Sequence, residues 1–375
     1  MIKIVFVCGT LESGKDGVGD YTRRLAGELI RQGHEASIIA IHDRYATELL
    51  VGFQPDEQTA VPVLRIPPLF SSKSKLPTIF SFINRANPDW VSLQYVPFSF
   101  HPKGLHLGLS DKLKEIGGGR KWHIMFHEIW VGLERGSKWK FILLGFLQRN
   151  FITYLLNNLS IKKIHTHSNF YKVLLEQEKI NSELLPLFSN LTKSSLPVEL
   201  KNNPIFLSED ELGFVFFGTI HQTSSMLDFL KSIKLFESKT GKNITLFFIG
   251  RNGPLLSDWK LTCKIEGVKI KVLGEQSSDN VLNLLEHSAI GVSTTALPMI
   301  EKSGSVAAML ANGLPVICLS HNWQPRSIKF DLIPEGIFKF ENDVIEKCLM
   351  FNKNNLQVNK LPMVTEAFIK SFMIQ

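Results

Sequence analysis

The sequence lacks the features that mark several large classes of protein. It has four cysteines, Cys8, Cys263, Cys318 and Cys348, and no two of them form a C-x-x-C pair. Such spacing indicates neither a zinc cage nor a disulfide framework, and it fits a reducing cytoplasm. No apolar run approaches the ~18 uninterrupted residues of a membrane-spanning helix. The opening residues, MIKIVFVCGT, lack the longer apolar core and cleavage site of a signal peptide, so we expect a cytoplasmic protein.

The chain also lacks an excess of acidic residues. Lysine and arginine number 42 against 35 aspartate and glutamate, which gives a formal net charge of +7 and favours an anionic partner. Nucleic acid is disfavoured because the basic residues form no single stripe with interleaved aromatic residues, and no reader motif is present. Hydrophobic residues make up 44% and charged residues 21% of the 375 residues, a globular composition with enough chain for two domains.

The N-terminal segment predicts one βαβ unit. A strand over Ile2–Cys8 is followed by a glycine-containing loop, a helix from Asp20 to Gln32 that stops at Gly33, and a strand over Ala36–Ile41. Both strands are apolar without polar alternation, as expected for a parallel sheet that is covered on both faces.

Strands and helices continue to alternate in two series, which predicts two doubly wound sheets. The first series continues with strands over Val61–Ile66, Trp90–Gln94, His123–His127 and Ile164–Thr166. The second series has strands over Phe214–Phe217, Thr245–Ile249, Ile270–Leu273, Gly291–Ser293 and Pro315–Cys318, with helices over Ser225–Ser238, Asp279–Glu286 and Ser303–Asn312.

A polar connection separates the two series. Residues Pro186–Glu211 are rich in Ser, Asn, Lys and Pro and lack sustained periodicity. We therefore place a boundary near Asn202. This predicts an N-terminal domain over 1–202 and a C-terminal domain over 203–345. C-terminal helices are predicted over 346–375, and one arrangement for them is to pack back on the N-terminal domain.

Glycines follow the first strand in the spacing of a phosphate-binding loop. The segment from Gly9 to Lys15 matches G-x-x-x-x-G-K, but Asp16 stands where a P-loop needs Ser or Thr to ligate magnesium, and the loop runs on through Gly17 and Gly19. A nucleotide triphosphatase is therefore disfavoured, and the lack of G-x-G-x-x-G disfavours a dinucleotide dehydrogenase. The loop either presents amides and a helix N-terminus to an anion or sugar hydroxyl, or is an ordinary glycine turn.

Four segments, in order along the chain, resemble glycosyltransferase family 4. Gly17–Glu35 resembles the family's glycine-rich loop, helix and R-x-G-H-E-V turn, and His123–Glu128 resembles the strand that ends in His-Asp. Phe216–Thr219 resembles the start of the second domain, and Ala308–Val316 resembles the segment E-A-M-A-x-G-x-P-V. Together these segments span most of the chain.

The resemblance implies a GT-B fold, α/β with two Rossmann-like doubly wound domains facing a cleft. It also implies a nucleotide-sugar donor bound by the C-terminal domain, and an acceptor bound by the N-terminal domain beside the loop residues Gly17, Gly19 and Asp20. Transfer would retain the anomeric configuration, without an essential metal and with no cofactor besides the nucleotide-sugar co-substrate. Such chemistry depends on positioning and on stabilising the charge of the leaving diphosphate more than on a strong base.

The resemblance makes His127 and Glu301 the candidate catalytic residues. His127 closes a predicted strand at the end where open α/β sheets bind ligands, and the family's matching histidine lies at the reacting sugar. A hydrogen-bonded structural histidine is the alternative. Glu128 replaces the usual aspartate. Glu301 matches the first of the family's two glutamates only if the loop differs in length, because counting back from Gly313 places that position at Ile300.

The donor site is predicted around two loops and one helix N-terminus of the C-terminal domain. Two interpretations of the start of the predicted helix Ser303–Asn312 stay open: its amides bind the donor diphosphate, or its serines only cap the helix. Thr219 and Ser224 replace the family's two phosphate-binding cations, and Ala308 replaces its second glutamate. The substitute cations to consider are His221, Arg251, Lys302 and Lys15. The candidate donor-binding residues are Gly218, Thr219, His221, Arg251, Lys302, Ser303, Gly304 and Ser305.

One long apolar segment has two interpretations. Residues 137–163 combine an apolar stretch with Lys138, Lys140 and Arg149, which is typical of a helix lying in a membrane interface. The alternative is a core-facing helix whose polar residues, Gln148 among them, wet one face. The first interpretation predicts a location peripheral to the inner face of the membrane and a lipid-linked acceptor.

These features predict a divergent glycosyltransferase that moves a hexosyl unit from a nucleotide-sugar donor to a saccharide or lipid-linked saccharide acceptor. The loss of the two cations and the second glutamate supports an alternative, a non-catalytic nucleotide-sugar-binding or partner subunit that keeps the GT-B fold.

Overall fold

The computed structural model describes residues 1–68, 72–106, 108–191, 210–353, 356 and 359–373; the side chains of 72–74 are also outside the description. The chain forms two compact units. The first consists of Met1–Pro186, Pro325–Ile328 and Leu361–Gln375, and the second of Leu187–Gln324 and Lys329–Lys360. The predicted boundary at Asn202 lies outside the described residues and stays a prediction.

The first unit is built on an eight-stranded sheet in the order β3-β4-β2-β1-β5-β6-β7-β8. All its neighbouring strands are parallel except β3 and β4, which form an antiparallel pair. The strands are β1 (Lys3–Cys8), β2 (Glu35–Ala40), β3 (Leu50–Asp56), β4 (Thr59–Arg65), β5 (Trp90–Tyr95), β6 (Lys121–Phe126), β7 (Lys163–Thr166) and β8 (Glu183–Leu184).

Helices cover this sheet. They are α1 (Gly17–Arg31), α2 (Ser72–Ala86), α3 (Pro97–Phe100), α4 (Leu109–Gly117), α5 (Trp139–Asn158), α6 (Asn169–Gln177) and α12 (Lys360–Met373). The last helix of the chain packs on the sheet through aromatic side chains, because Phe368 stacks on Phe6 and Phe372 on Trp90, with ring centroids 6.0 and 4.5 Å apart.

The second unit has a six-stranded parallel sheet in the order β11-β10-β9-β12-β13-β14. Its strands are β9 (Glu211–Phe217), β10 (Asn243–Ile249), β11 (Lys269–Gly274), β12 (Ile290–Ser293), β13 (Val316–Cys318) and β14 (Ile337–Lys339). Its helices are α7 (Met226–Thr240), α8 (Leu256–Glu266), α9 (Ser278–Glu286), α10 (Gly304–Ala311) and α11 (Val344–Met350), with a 3-10 helix over Leu297–Lys302.

Each face of the second sheet carries its own core. Successive residues of a strand point to opposite faces, so Phe214 and Phe216 join the cluster that includes Phe229 and Trp259, while Val215 joins the one that contains residues of α9 and α10. A sheet that is apolar on both faces must be covered by helices on both. The predicted apolar strands therefore reappear within a few residues of their predicted bounds.

Several elements differ from the sequence prediction. Helix α1 begins at Gly17 rather than Asp20, because the Asp16 carboxylate accepts hydrogen bonds from the Val18 and Gly19 amides at 3.0 and 2.9 Å and caps the helix there. The antiparallel strand β3, the short strands β8 and β14 and helix α8 were not predicted. In the tail, α11 belongs to the second unit and α12 to the first.

Candidate functional site

The strand order reverses once in each sheet, between β1 and β5 in the first unit and between β9 and β12 in the second. Open parallel sheets bind ligands beyond the carboxyl ends of their strands at such a reversal. The predicted donor residues Gly218 and Thr219 directly follow β9, and the predicted catalytic residue His127 directly follows β6.

In the second unit, the loop after β9 lies against the start of α10. Gly218 has a φ of +82°, which side-chain-bearing residues rarely adopt, and a Cβ built on it would lie 3.7 Å from Ser305 Cβ. The loop is fixed from its other side, because Asn252 Nδ2 donates to the Gly218 carbonyl at 2.8 Å. Thr219 Oγ1 donates to the Arg251 carbonyl at 3.5 Å.

A serine caps the N-terminus of α10, and the cap takes up only one of the first amides of the helix. Ser303 Oγ accepts a hydrogen bond from Val306 N at 3.4 Å and lies 3.1 Å from Ser305 Oγ. The amides of Gly304 and Ser305 belong to the first turn of the helix, where amides have no partner within the helix, and Gly304 is exposed. Because a helix N-terminus carries a partial positive charge, this end of α10 favours an anion.

Basic side chains surround the same helix end. The His221 amide donates to Thr294 Oγ1 at 2.7 Å, which holds this loop beside the end of β12. Partial burial, with Lys302 and His321 close by, lowers the pKa of His221. The structure thus brings Lys302 and His221 together. Arg251 lies on the neighbouring loop, where its Nε forms an exposed ion pair with Glu275 Oε1 at 3.1 Å.

The positions counted for the family's glutamates lie inside the second unit. Ile300 and Ala308 are each 1% exposed and belong to one hydrophobic cluster. Glu301 lies half-buried in the 3-10 helix just before α10. A match of Glu301 to the family's first glutamate therefore requires a different loop length, and its catalytic role stays a prediction.

In the first unit, both ring nitrogens of His127 are already hydrogen-bonded to protein groups. Nε2 lies 2.9 Å from Gln94 Oε1, and Nδ1 lies 2.9 Å from His167 Nε2. The ring of Tyr21 packs edge-on against it at 4.9 Å, and His127 is 7% exposed. This is the geometry of a hydrogen-bonded structural histidine, and contact with a sugar stays a prediction. Glu128 is half-buried beside it.

The predicted acceptor-side residues, Gly17, Gly19 and Asp20, lie in and beside a loop that is held by its own hydrogen bonds. The amides of Val18 and Gly19 are taken up by Asp16, while Asp20 accepts a hydrogen bond from Gly14 N at 3.1 Å and pairs with Arg23. A Cβ on Gly19 would lie 2.7 Å from the Thr10 carbonyl oxygen, so only glycine fits there. Gly17 is exposed.

Sequence reasoning missed the polar residues inside the first sheet. Ser92 and Gln94 on β5, His123 on β6 and His165 on β7 are each at most 1% exposed, and His167 follows β7. The available signal was the spacing of two, S-x-Q and H-x-H, within otherwise apolar strands, since residues two apart share a face.

No protein-family model matches the sequence, and no curated protein matches it. Solved structures do match over the whole chain. HepE (Alr3699) of Anabaena, in complex with UDP and glucose, has a TM-score of 0.59 and 13% identity over 100% of both chains. AviGT4, a glycosyltransferase involved in avilamycin A biosynthesis, has a TM-score of 0.54 and 12% identity over 100% of this chain and 97% of its own.

A third similar structure is a putative UDP-N-acetylglucosamine 2-epimerase from Listeria monocytogenes, with a TM-score of 0.51 and 11% identity over 100% of this chain and 96% of its own. At such identities the likeness shows the fold alone. It confirms the predicted fold class, an α/β protein of GT-B type with two Rossmann-like units.

The buried histidines make stability depend on pH. Burial lowers the pKa of His165 to about 3 and that of His167 to about 4, and it holds the pKa of His123 and of His127 well below the ordinary value. Between about pH 6.5 and about pH 4, the unfolded chain therefore binds more protons than the folded one. The free energy of unfolding then falls with falling pH, by up to about 1.4 kcal/mol per pH unit and histidine.

Urea unfolding followed by circular dichroism at about pH 7 and about pH 5 checks this prediction. His165→Gln should reduce the pH dependence of the urea midpoint, whereas His287→Gln, at an exposed position, should leave it unchanged. An equal pH dependence in His165→Gln and the parent protein would contradict it.

Proposed function

We propose that this protein is a glycosyltransferase. It would move a hexosyl unit from a nucleotide-sugar donor to a saccharide or lipid-linked saccharide acceptor, with retention of configuration and without a metal ion. The observation that carries the proposal is the N-terminus of α10 in the second unit. Its first amides have no partner within the helix, Gly218 lies against Ser305, and Lys302 directly precedes the cap residue Ser303. Two similar structures support it: HepE is in complex with UDP and glucose, and the Listeria protein is a putative UDP-N-acetylglucosamine 2-epimerase.

Charge stabilisation is the chemistry that this helix end offers. When the bond between sugar and diphosphate breaks, negative charge grows on the leaving phosphate oxygens. The amides of Gly304 and Ser305 are fixed by the helix before the reaction begins, so they stabilise that charge without reorganising. Lys302 adds a full positive charge, which replaces in part the cations lost at Thr219 and Ser224.

The remaining roles follow from the resemblance. The first unit would bind the acceptor near His127 and the loop of Gly17, Gly19 and Asp20, and Glu301 would act beside the reacting sugar. A second candidate function is a non-catalytic nucleotide-sugar-binding subunit. Two observations favour it: uncharged side chains replace both cations, and the His127 ring has both nitrogens engaged. Turnover with any acceptor separates the two candidates.

Donor binding should depend on Lys302. We expect Lys302→Met to raise the Kd of the best-binding nucleotide sugar about tenfold, because one charge-assisted contact with the diphosphate is lost. The measurement is isothermal titration calorimetry with UDP-, ADP- and GDP-sugars. Lys269→Met is the matched control, since Lys269 lies at the amino end of β11, the opposite edge of the same sheet, and pairs with Glu211. Equal effects of the two variants, or no binding of any nucleotide sugar, would overturn the proposal.

The partner of helix α5 is also part of the proposal. Five large apolar side chains on one side of this helix are 44% to 76% exposed: Trp139, Leu143, Phe146, Leu147 and Tyr154. Gln148, expected to wet one face of a core-facing helix, is instead buried; its Oε1 accepts from Val131 N and its Nε2 donates to the Lys103 carbonyl. Lys138, Lys140 and Arg149 flank the apolar side.

An apolar stripe flanked by cations fits the surface of an anionic lipid bilayer, because the side chains enter the interface while the cations stay among the headgroups. No described helix is long and apolar enough to cross a membrane. We propose that α5 lies on an anionic membrane surface, where a lipid-linked acceptor would be found.

Vesicle co-sedimentation tests this surface. The protein should bind vesicles that contain anionic phospholipid more than neutral ones, and Trp139→Ser with Phe146→Ser should lower the bound fraction about fivefold or more. Leu235→Ser with Leu261→Ser, at exposed positions of the second unit, should leave binding unchanged. If both double variants bind equally, α5 is not the contact surface.

A further inference from the structure

A line of hydrogen-bonded side chains crosses the first sheet inside the protein. It is formed by residues that share one face of three neighbouring strands, and one of its inner members, His127, lies at the carboxyl end of β6. Its members are Ser92, Gln94, His123, His127, His165 and His167.

One half of the line runs from His127 to a backbone carbonyl. His127 Nε2 lies 2.9 Å from Gln94 Oε1, and His127 Nδ1 lies 2.9 Å from His167 Nε2. His167 Nδ1 then lies 3.0 Å from the Leu185 carbonyl oxygen. Two imidazole rings therefore stand in series between two oxygens that only accept hydrogen bonds.

The other half of the line runs away from His127. Gln94 Nε2 donates to Ser92 Oγ at 2.8 Å, and Ser92 Oγ lies 2.8 Å from His123 Nδ1. His123 Nε2 lies 2.9 Å from His165 Nδ1. The line ends near the surface, where His165 Nε2 is 3.7 Å from Glu183 Oε2, a side chain that is 59% exposed.

The amide of Gln94 determines the tautomer of His127. Its nitrogen is used by Ser92, so its oxygen faces His127 Nε2, and that nitrogen must carry a proton to make the contact. A neutral His127 then has a bare Nδ1, which accepts a hydrogen bond from His167 Nε2.

Counting protons shows that the pair is one short. The contacts of His127 and His167 with each other and with the two oxygens number three, while two neutral rings bring only two protons. With His127 fixed by Gln94, the contact left without a proton is the one between His167 Nδ1 and the Leu185 carbonyl. One added proton completes all three contacts, with the positive charge on either His167 or His127.

Several elements place groups against the pair, and the carboxylate of Glu128 follows His127 directly in the chain. From α1 the ring of Tyr21 packs edge-on against both imidazoles, at 4.9 and 4.8 Å. Strand β5 contributes Gln94 and Ser92, and the segment after β8 contributes the Leu185 backbone. His123 on β6 and His165 on β7 precede the two rings on the same face of the sheet. Burial lowers the pKa of both rings. The Leu185 carbonyl, which lies 3.0 Å from His167 Nδ1, raises the pKa of His167 against this effect, whereas burial and the neighbouring His167 hold the pKa of His127 well below its ordinary value. The added proton therefore goes to His167 first.

We propose that Gln94 and His167 are positioning residues for His127: Gln94 selects the tautomer with a proton on Nε2, and His167 is the ring that takes up a proton. His127 then stays neutral, in one plane and one tautomer, at the carboxyl end of β6. The structural part of this proposal stands without the proposed function, and only its kinetic consequence rests on that function.

Nitrogen NMR of the full chain tests the structural part. In protein labelled with 15N-histidine, with signals assigned by their loss in His127→Gln and His167→Gln, His127 should show the Nε2–H tautomer. On acidification His167 should become charged before His127. In Gln94→Glu the carboxylate should make His127 the first of the two rings to become charged. An Nδ1–H tautomer of His127, or a charge on His127 first in the parent protein, would overturn the proposal.

Kinetics test the consequence. If His127 acts at the sugar, His167→Phe should lower kcat about tenfold and change KM by less than about twofold. The reason is that the His127 ring would lose the hydrogen bond that orients it while staying at the same position in the fold. His167→Gln keeps an amide donor toward His127 Nδ1 and should restore most of kcat.

Thr166→Val is the control, because Thr166 donates to the Phe126 carbonyl from the position between His165 and His167, on the other face of β7. Equal losses of kcat in His167→Phe and Thr166→Val, at equal losses of melting temperature, would reduce His167 to a structural residue. A complete lack of turnover in the parent protein would refute the proposed function instead, while the NMR result would still decide the tautomer.

Discussion

A buried polar group needs a hydrogen-bond partner, and this constraint applies to both units. In the first unit the imidazoles bond to one another, Asp43 pairs with Arg65, and Asp56 pairs with Arg24. Other groups of that unit, among them the hydroxyls of Ser37 and Tyr95, are buried with no hydrogen-bond partner in the described part of the chain. In the second unit the first amides of α10 have no partner within the helix, and a ligand can complete that end, which is why we place the diphosphate there.

The strands could be predicted from the sequence because each is a continuous apolar run, and a run buried on both faces has one stable environment, a covered parallel sheet. Strand β3 escaped prediction for the opposite reason. It is an edge strand whose side chains are mostly exposed, with Phe53 at 69%, so its sequence carries no clear apolar pattern. Gln148 was misjudged because its polarity suggested solvent, whereas two backbone groups bind it inside the unit.

Only those features of the candidate site that depend on residues close together in the sequence could be predicted. The cap at Ser303 and the glycine after β9 are local features, and both appear where the pattern placed them. The approach of Gly218 to Ser305 and the grouping of Lys302 with His221 depend on the order of strands in the sheet, which no local spacing contains. The same holds for His127, whose two partners come from β5 and from the residue after β7.

The return of the last helix to the first unit limits how this chain can be divided. A fragment that ends at Pro186 would lack α12 and would expose the rings of Phe6, Trp90 and His123, which Phe368 and Phe372 otherwise cover. Exchange of one unit between related genes would therefore need several joints, among them one after residue 186, one on each side of Pro325–Ile328 and one before Leu361. A ribosome must also finish α12 before the first unit has its full cover.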